Sequence, residues 1–227
     1  MPLRYLAIAV AFLPFLAANL AYLLSAWQGY VDWCLPYVHG CASISAAGRH
    51  GAAYFVFKAL MLPSTVLMML YWLAHFRWLE LAGDTSARAR SLILAMGIVA
   101  PLGLVLYATV LGSVGDMYFL QRRIGVVLYF ALTFFAQLLL THRLHLLALD
   151  ETAIAYRIKF ALICMMWALG LVHLVFEITR PEFDAIDDII EWNFALLTTL
   201  FYASSYWLWR GYGVTLNTIK GAEDQEK

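Results

Sequence analysis

The chain has 227 residues, of which 63% are hydrophobic and only 13% charged, and its basic and acidic residues balance to a formal net charge of zero. A soluble domain is closer to half apolar and a quarter charged, so this composition excludes an ordinary soluble protein and indicates an integral, multi-pass membrane protein. The balanced charge also argues against nucleic acid as a partner.

Six apolar runs follow one another along the chain, each close to the roughly 20 residues that an α-helix needs to span a bilayer. They predict an all-α, polytopic membrane protein, a six-helix transmembrane bundle within residues 1–212, followed by a polar C-terminal tail at 213–227. The first run is too long for a cleaved signal peptide, and we expect it to be a retained span. The predicted spans are about 5–27, 53–75, 91–112, 124–141, 158–178 and 189–209.

The distribution of basic residues predicts that both termini lie inside. Cytoplasmic segments of membrane proteins carry an excess of Lys and Arg, and an N-in, C-in arrangement puts the larger share of these residues on the inner side. Which membrane holds the protein stays open. The inner residues would be Arg4, Arg77, Arg88, Arg90, Arg143, Arg157, Lys159, Arg210, Lys220 and Lys227.

Two cysteines, Cys34 and Cys41, lie in the predicted outer loop between the first and second spans. If that side is an oxidising compartment, a disulfide would close a small ring and make the loop rigid. The alternative is a pair of free thiols.

Ionisable residues gather in one layer near the outer ends of the spans. Asp187, Asp188 and Glu191 open the sixth span, and their spacing puts them on one helix face; His173 and Glu177 are likewise four apart in the fifth. All of the layer lies within about two helical turns of the outer interface, and pairing would lower the cost of such groups in a membrane. The inner halves show nothing comparable, and we interpret His75, His142 and His145 as interfacial. The remaining members of the layer are Lys58, Asp116, Gln121, Arg122 and Arg123.

Three interpretations of this layer remain open. In the first, Arg122 or Arg123 pairs with Glu177 or Glu191 and the network only fixes helix packing. In the second, the cations bind a lipid phosphate, which suits the planar fork of arginine, while kinked apolar helices hold the acyl chains. In the third, His173 and the carboxylates act on an ester or amide, with or without a metal ion.

Three stretches of the chain resemble the Frag1/DRAM/Sfk1 family of six-span membrane proteins. They are Ser43-Ile-Ser-Ala-Ala-Gly-Arg49 with Tyr54-Phe-Val-Phe57 after it, Phe119-Leu-Gln-Arg-Arg-Ile-Gly125, and Ile190-Glu-Trp192 with Phe201-Tyr202 downstream. The family also includes lipid-remodelling factors that act on GPI anchors and the N-terminal part of the Cwh43 proteins. The resemblance implies lipid handling at the outer or lumenal leaflet, without an agreed catalytic mechanism.

The chain departs from the family pattern at two places. His50-Gly-Ala-Ala53 stands where members often carry a Pro-Pro-Glu-like segment, and Arg122-Arg123 stands where they often carry a histidine. These differences concern the outer layer, so the site cannot be transferred from the family residue by residue.

We therefore expect a membrane lipid as the partner and no cofactor, with a metal ion only if the protein is an intramembrane hydrolase or acyltransferase. In that alternative His173, Glu177 and Glu191 are catalytic; in a further alternative the protein is a structural or partner subunit. The expected lipid-binding residues are Ser43, Ser45, Arg49, Lys58, Asp116, Gln121, Arg122, Arg123, Asp188, Trp192 and Tyr202.

Overall fold

The computed structural model describes residues 2–147, 153–179 and 184–210, and the regular structure of this part is helical, with no strand. Five of its helices are long and apolar enough to cross a membrane, namely α1, α4, α5, α6 and α7. The all-α membrane fold is thus confirmed. The described helices are α1 (Arg4–Trp27), α2 (Pro36–His39), α3 (Ile44–Ala47), α4 (Gly51–Leu81), α5 (Ala87–Thr109), α6 (Asp116–Leu147), α7 (Ala153–Thr179) and α8 (Asp184–Leu208).

The long helices lie where the apolar runs predict them, but two extend well beyond the apolar part. α4 continues to Leu81, past the predicted end at residue 75. α6 begins at Asp116 rather than near residue 124, which places Arg122 and Arg123 on its first turns. The predicted tail at 213–227 lies outside the described residues.

α8 occupies the position of the predicted sixth span, but it is not among the five helices whose length and apolarity suit a membrane span. It packs against α1, α7 and the short α2. Neighbouring helices can form hydrogen bonds with the polar side chains of α8, which hydrocarbon chains cannot do. Along its second half the hydroxyl-bearing residues Thr198, Thr199, Ser204 and Ser205 are all buried.

One end of the bundle, which we call the loop face, collects the segment 28–50, the loop 110–115 and the first turns of α8. Three hydrogen bonds hold this end of the bundle together. The backbone N–H of Ala52 donates to Gln28 Oε1 at 3.0 Å, Lys58 Nζ donates to the Thr109 carbonyl at 2.9 Å, and Trp192 Nε1 donates to the Ala42 carbonyl at 2.8 Å.

The segment 28–50 is held down from both sides. Cys34 and Cys41 form a disulfide within it. The hydroxyl of Tyr22 on α1 donates to the Cys34 carbonyl at 2.8 Å, and Asn193 Nδ2 on α8 donates to the Tyr37 carbonyl at 2.8 Å. The segment is therefore an ordered cap on the bundle.

Two glycines bring α5 and α6 into close contact. A Cβ atom added at Gly125 would lie 2.6 Å from the Gly103 carbonyl oxygen, and one added at Gly103 would lie 2.9 Å from the Gly125 carbonyl oxygen. Small residues allow membrane helices to approach closely in this way. The contact fixes α6, and with it the arginines on its first turns, relative to α5.

The opposite half of the bundle holds a buried polar cluster, so the expectation that this half has nothing comparable is wrong. Lys159 Nζ donates to Ser205 Oγ at 2.8 Å and to the Phe201 carbonyl at 3.0 Å. Ser205 Oγ also lies 2.7 Å from the Tyr71 hydroxyl and 3.1 Å from His75 Nε2. Lys159, His75, Tyr71 and Ser205 are all fully buried; His75 is not interfacial, because α4 continues beyond it.

An ion pair fastens the turn between α4 and α5 at this opposite end. Arg143 Nε and Nη2 on α6 donate to the two carboxylate oxygens of Asp84 at 2.7 and 3.0 Å, and the Asp84 side chain is fully buried. Burial alone would raise the pKa of Asp84, but the hydrogen bonds from Arg143 and from the Ser86 backbone outweigh it and lower the pKa. The carboxylate therefore stabilises the fold in its charged form.

We expect Ser205→Ala to lower the free energy of unfolding by about 2–3 kcal/mol, because it leaves several buried polar groups without their partner. The matched control is Ser204→Ala. Ser204 is equally buried, but its hydroxyl donates only to the Phe201 carbonyl within its own helix. Thermal unfolding in detergent should show a clearly larger loss for Ser205→Ala; equal losses would contradict a cluster centred on Ser205.

Asp84→Asn should cost about 3 kcal/mol, because it leaves Arg143 without its charged partner in a largely buried site. In the unchanged protein this contribution is fully present above the pKa of an unfolded aspartate, about 4. It disappears as the pH falls through the lower pKa of the folded state. Thermal unfolding against pH should therefore show a decline below about pH 4 that the Asp84→Asn variant lacks; parallel curves would contradict this assignment.

Candidate functional site at the loop face

A cavity of about 610 Å³ opens at the loop face between the segment 43–49, α6, α7 and the first turns of α8. Its polar wall contains many of the residues that the sequence singles out. The apolar remainder comes mainly from α6 and α8. The polar lining residues are Ser43, Ser45, Arg49, Tyr107, Arg122, Arg123, His173, Asp187 and Glu191.

Local structure explains how three arginines reach this cavity. The Ser43 hydroxyl accepts a hydrogen bond from the Ala46 backbone and so caps α3, which ends just before Arg49. Arg122 and Arg123 lie on the first turns of α6. Arg122 Nη1 donates to the Ser113 carbonyl at 2.7 Å, which ties the loop 110–115 to α6.

Within the described part of the chain, no carboxylate lies within ion-pair distance of these arginines; the ion pairs found there involve other residues. Arg49 donates only a long hydrogen bond of 3.5 Å to Ser45 Oγ, and its buried Nε has no partner. Arg123 is exposed. Arg49 and Arg123 thus offer guanidinium N–H groups that the described residues leave largely unused, and no pairing of Arg122 or Arg123 with Glu177 or Glu191 is seen among those residues.

The facing wall is acidic and belongs to α8. The Glu191 carboxylate lies near the Ile44 backbone at the start of α3. The Tyr107 hydroxyl lies within electrostatic reach of Glu191, Arg49 and Arg122. Basic and acidic side chains therefore line one cavity, and Tyr107 lies near both kinds.

His173 on α7 reaches Asp187 on α8 at the rim of the cavity, where Nε2 lies 3.1 Å from Oδ1. Ligand atoms of His173, Glu177 and Asp187 all lie within 4.8 Å of one another, so the three can hold a metal ion. A carboxylate that hydrogen-bonds an imidazole also fixes the ring orientation and suits the ring for acid–base chemistry. Glu177 itself is exposed and does not line the cavity.

Beneath the polar cavity lies a smaller, mostly apolar one of about 60 Å³. Tyr107, Val126, Phe130 and Glu191 line both cavities. Trp192, a predicted ligand-binding residue, lines the lower cavity and is buried. The site therefore changes from charged to apolar with depth in the bundle.

Five predicted binding residues lie elsewhere. Lys58 Nζ donates to the Tyr54 hydroxyl at 2.6 Å and to the Thr109 carbonyl. Asp116 and Gln121 are on the first turns of α6 but do not line the cavity. Asp188 lines a separate polar pocket of about 400 Å³ beside Asp32, and Tyr202 packs in the core, 4.8 Å from Tyr71 between ring centroids.

Two residues of the site were absent from the predicted set. Tyr107 interrupts the apolar third run with a phenol close to the loop 110–115. This polar group is the feature of the sequence that could have marked Tyr107 as a site residue. Asp187 shares a helix face with Glu191, but the sequence does not show that α7 turns His173 towards it.

Comparisons with known proteins give one match. Neither a curated protein nor a solved structure matches the chain significantly. The family model described as the Frag1/DRAM/Sfk1/Cwh43P N-terminal domain matches residues 2–210, which is nearly the whole chain. With its five apolar helices, this integral multi-pass membrane protein therefore belongs to the Frag1/DRAM/Sfk1 family.

Proposed function

We propose that the protein binds the phosphate-bearing head group of a membrane lipid in the loop-face cavity. The observation that carries the proposal is that three arginines, Arg49, Arg122 and Arg123, line one cavity without a carboxylate at ion-pair distance in the described part of the chain. Arginine binds phosphate through two parallel hydrogen bonds. The unused Nε of Arg49 gives a buried donor that such a ligand would satisfy.

The acidic wall suggests what else the head group carries. Glu191 and Asp187 line the same cavity as the arginines. A phosphate on the basic side leaves an amine or sugar hydroxyl to meet the carboxylates, since both can donate hydrogen bonds. The lower apolar cavity beside Trp192 would take part of an acyl chain.

The proposal includes a topology in which α8 is the sixth span and the loop face lies outside. The disulfide between Cys34 and Cys41 fits an oxidising compartment on that side. Exposed Arg77 and Arg88 lie at the opposite end, as the positive-inside rule favours. Lys159 no longer supports this orientation, because it is buried within the bundle.

The test is lipid binding by a variant that removes two arginines. We expect the double change Arg49→Gln with Arg123→Gln to weaken binding of dioleoyl phosphatidylethanolamine and phosphatidylglycerol by roughly tenfold or more, about 1.4 kcal/mol. Arg122 is left in place because it holds the loop 110–115. Native mass spectrometry of the protein titrated with each lipid in detergent gives the affinity.

Arg88→Gln is the control, since Arg88 is an exposed arginine at the opposite end of the bundle. It should leave affinity unchanged. If the double variant binds as tightly as the unchanged protein, or if that protein binds neither lipid, the cavity is a packing feature and a structural or partner-subunit role stands.

A second candidate function, lipid hydrolysis or acyl transfer, is favoured by the contact between His173 and Asp187 at the cavity rim. In this mechanism His173 takes a proton from water as the water oxygen attacks the ester carbonyl. The ester C–O bond then breaks and His173 returns the proton to the leaving oxygen, so a carboxylic acid and an alcohol are released. Glu191 faces the same cavity and would position the substrate. A divalent ion, if one takes part, would be held by His173, Glu177 and Asp187.

For this candidate we expect His173→Gln to lower turnover of a lipid ester by roughly 100-fold or more, as loss of a general base does. Thermal stability should hardly change, because the His173 side chain is 43% exposed. His142→Gln, at an exposed histidine of the opposite end, is the control. If turnover by the unchanged protein survives His173→Gln, His173 is not the general base. Glu191→Gln then tests whether Glu191 positions the substrate, and treatment with a chelator tests whether a metal ion takes part.

A further inference from the structure

The two halves of α7 differ in how they pack. In the half that starts at Ala153, side chains such as Lys159, Ile163 and Met166 are buried. From Trp167 to Thr179 none is buried. α7 is therefore anchored at the opposite end of the bundle and stands away from it towards the loop face.

The face of α7 that points into the bundle lacks a side chain at one position. Helix spacing puts Ile163, Met166, Gly170, His173 and Glu177 on one face, and Gly170 also lines the loop-face cavity. A Cβ atom added at Gly170 would meet nothing within 4 Å. Glycine in a helix interior is about 1 kcal/mol less favourable than alanine, and close helix packing does not explain it here.

Contacts above and below Gly170 frame an opening. On the loop-face side, His173 meets Asp187. Towards the opposite end, α7 meets α6 where the rings of Trp167 and Phe134 lie 5.8 Å apart. Between these contacts the cavity is lined by Gly170 of α7 and by apolar residues of α6, among them Val127, which is 58% exposed.

The charges and the opening follow one another along α6. Val127 is one helical turn beyond Arg123, and Ala131, which also lines the cavity, is one turn further. Along the helix axis they therefore lie about 6 and about 12 Å from Arg123. If a lipid places its phosphate at the arginines, its acyl chains would begin at the depth of Val127 and Ala131. At that depth the protein presents apolar side chains beside the opening.

We propose that the gap between α6 and α7 at Gly170 is a lateral portal through which an acyl chain of the bound lipid extends into the bilayer. The inference rests on the proposed head-group site and names its substrate class: a long-chain lipid that stays anchored in the membrane while its head group is bound. A water-soluble phosphate compound would not need the portal, and Gly170 is the residue that keeps it open.

The test fills the portal with Gly170→Leu and compares two lipids that share one head group. Dioleoyl phosphatidylethanolamine has long chains, whereas dihexanoyl phosphatidylethanolamine has chains too short to reach through the gap. We expect the variant to bind the dioleoyl lipid roughly tenfold more weakly, with less than about a twofold change for the dihexanoyl lipid. Native mass spectrometry of the full chain in detergent measures both affinities.

Ala168→Leu is the matched control, because Ala168 is exposed on α7 but does not line the cavity; it should change neither affinity. The Cβ atom of a side chain at position 170 would meet nothing within 4 Å, so we expect little change in the melting temperature of Gly170→Leu. If it does fall, Gly170→Ala keeps the test open and should give a smaller loss for the dioleoyl lipid alone.

The outcomes distinguish the two proposals. If Gly170→Leu keeps full affinity for both lipids, or weakens both equally, the portal is overturned and the head-group site stands. If the unchanged protein binds neither lipid, the head-group site fails and the portal fails with it.

Discussion

The structure depends on one constraint: polar groups on a helix inside a membrane must find their partners within the protein. α8 meets this constraint most acutely. It bears carboxylates at its start and buried hydroxyl groups in its second half, and it is not among the five helices whose apolarity suits a membrane span. α8 packs mainly against α1, α7 and α2, and each of its polar stretches finds a different kind of partner.

The two polar clusters along α8 solve this problem in opposite ways. In the half away from the loop face, Ser205 joins Lys159, His75 and Tyr71 in a closed network with all four residues fully buried. At the loop face, Glu191 and Asp187 line an open cavity whose arginines have no carboxylate at ion-pair distance in the described part of the chain. The first arrangement stabilises the fold, whereas the second leaves charged side chains facing an open cavity, as the proposed head-group site requires.

Much of the fold could be predicted from the sequence, because a bilayer imposes a length and an apolarity that single helices must meet alone. The positions of the five spanning helices follow from this. The ends of the helices cannot be predicted in this way, because α4 and α6 continue beyond their apolar stretches. There the length of a helix depends on its contacts with solvent and loops, which the local sequence does not describe.

The candidate site could be predicted in part. The similar depth of His173, Glu191 and Arg122 along their helices predicts that they lie together, and all three line one cavity. Depth does not report which way a side chain points around its helix, so Lys58 and Asp188 lie elsewhere. The sequence places Lys159 among the basic residues of the inner side, because a basic residue near a span end looks the same whether it faces water or a serine on a neighbouring helix.

The bond between Cys34 and Cys41 closes a covalent ring just before Ala42. The Ala42 carbonyl accepts a hydrogen bond from the indole of Trp192, and Trp192 lines the lower cavity. The disulfide therefore restrains the backbone that meets this wall of the cavity. Reduction of the bond to two thiols would remove that restraint, which links the shape of the cavity to the redox state of the loop.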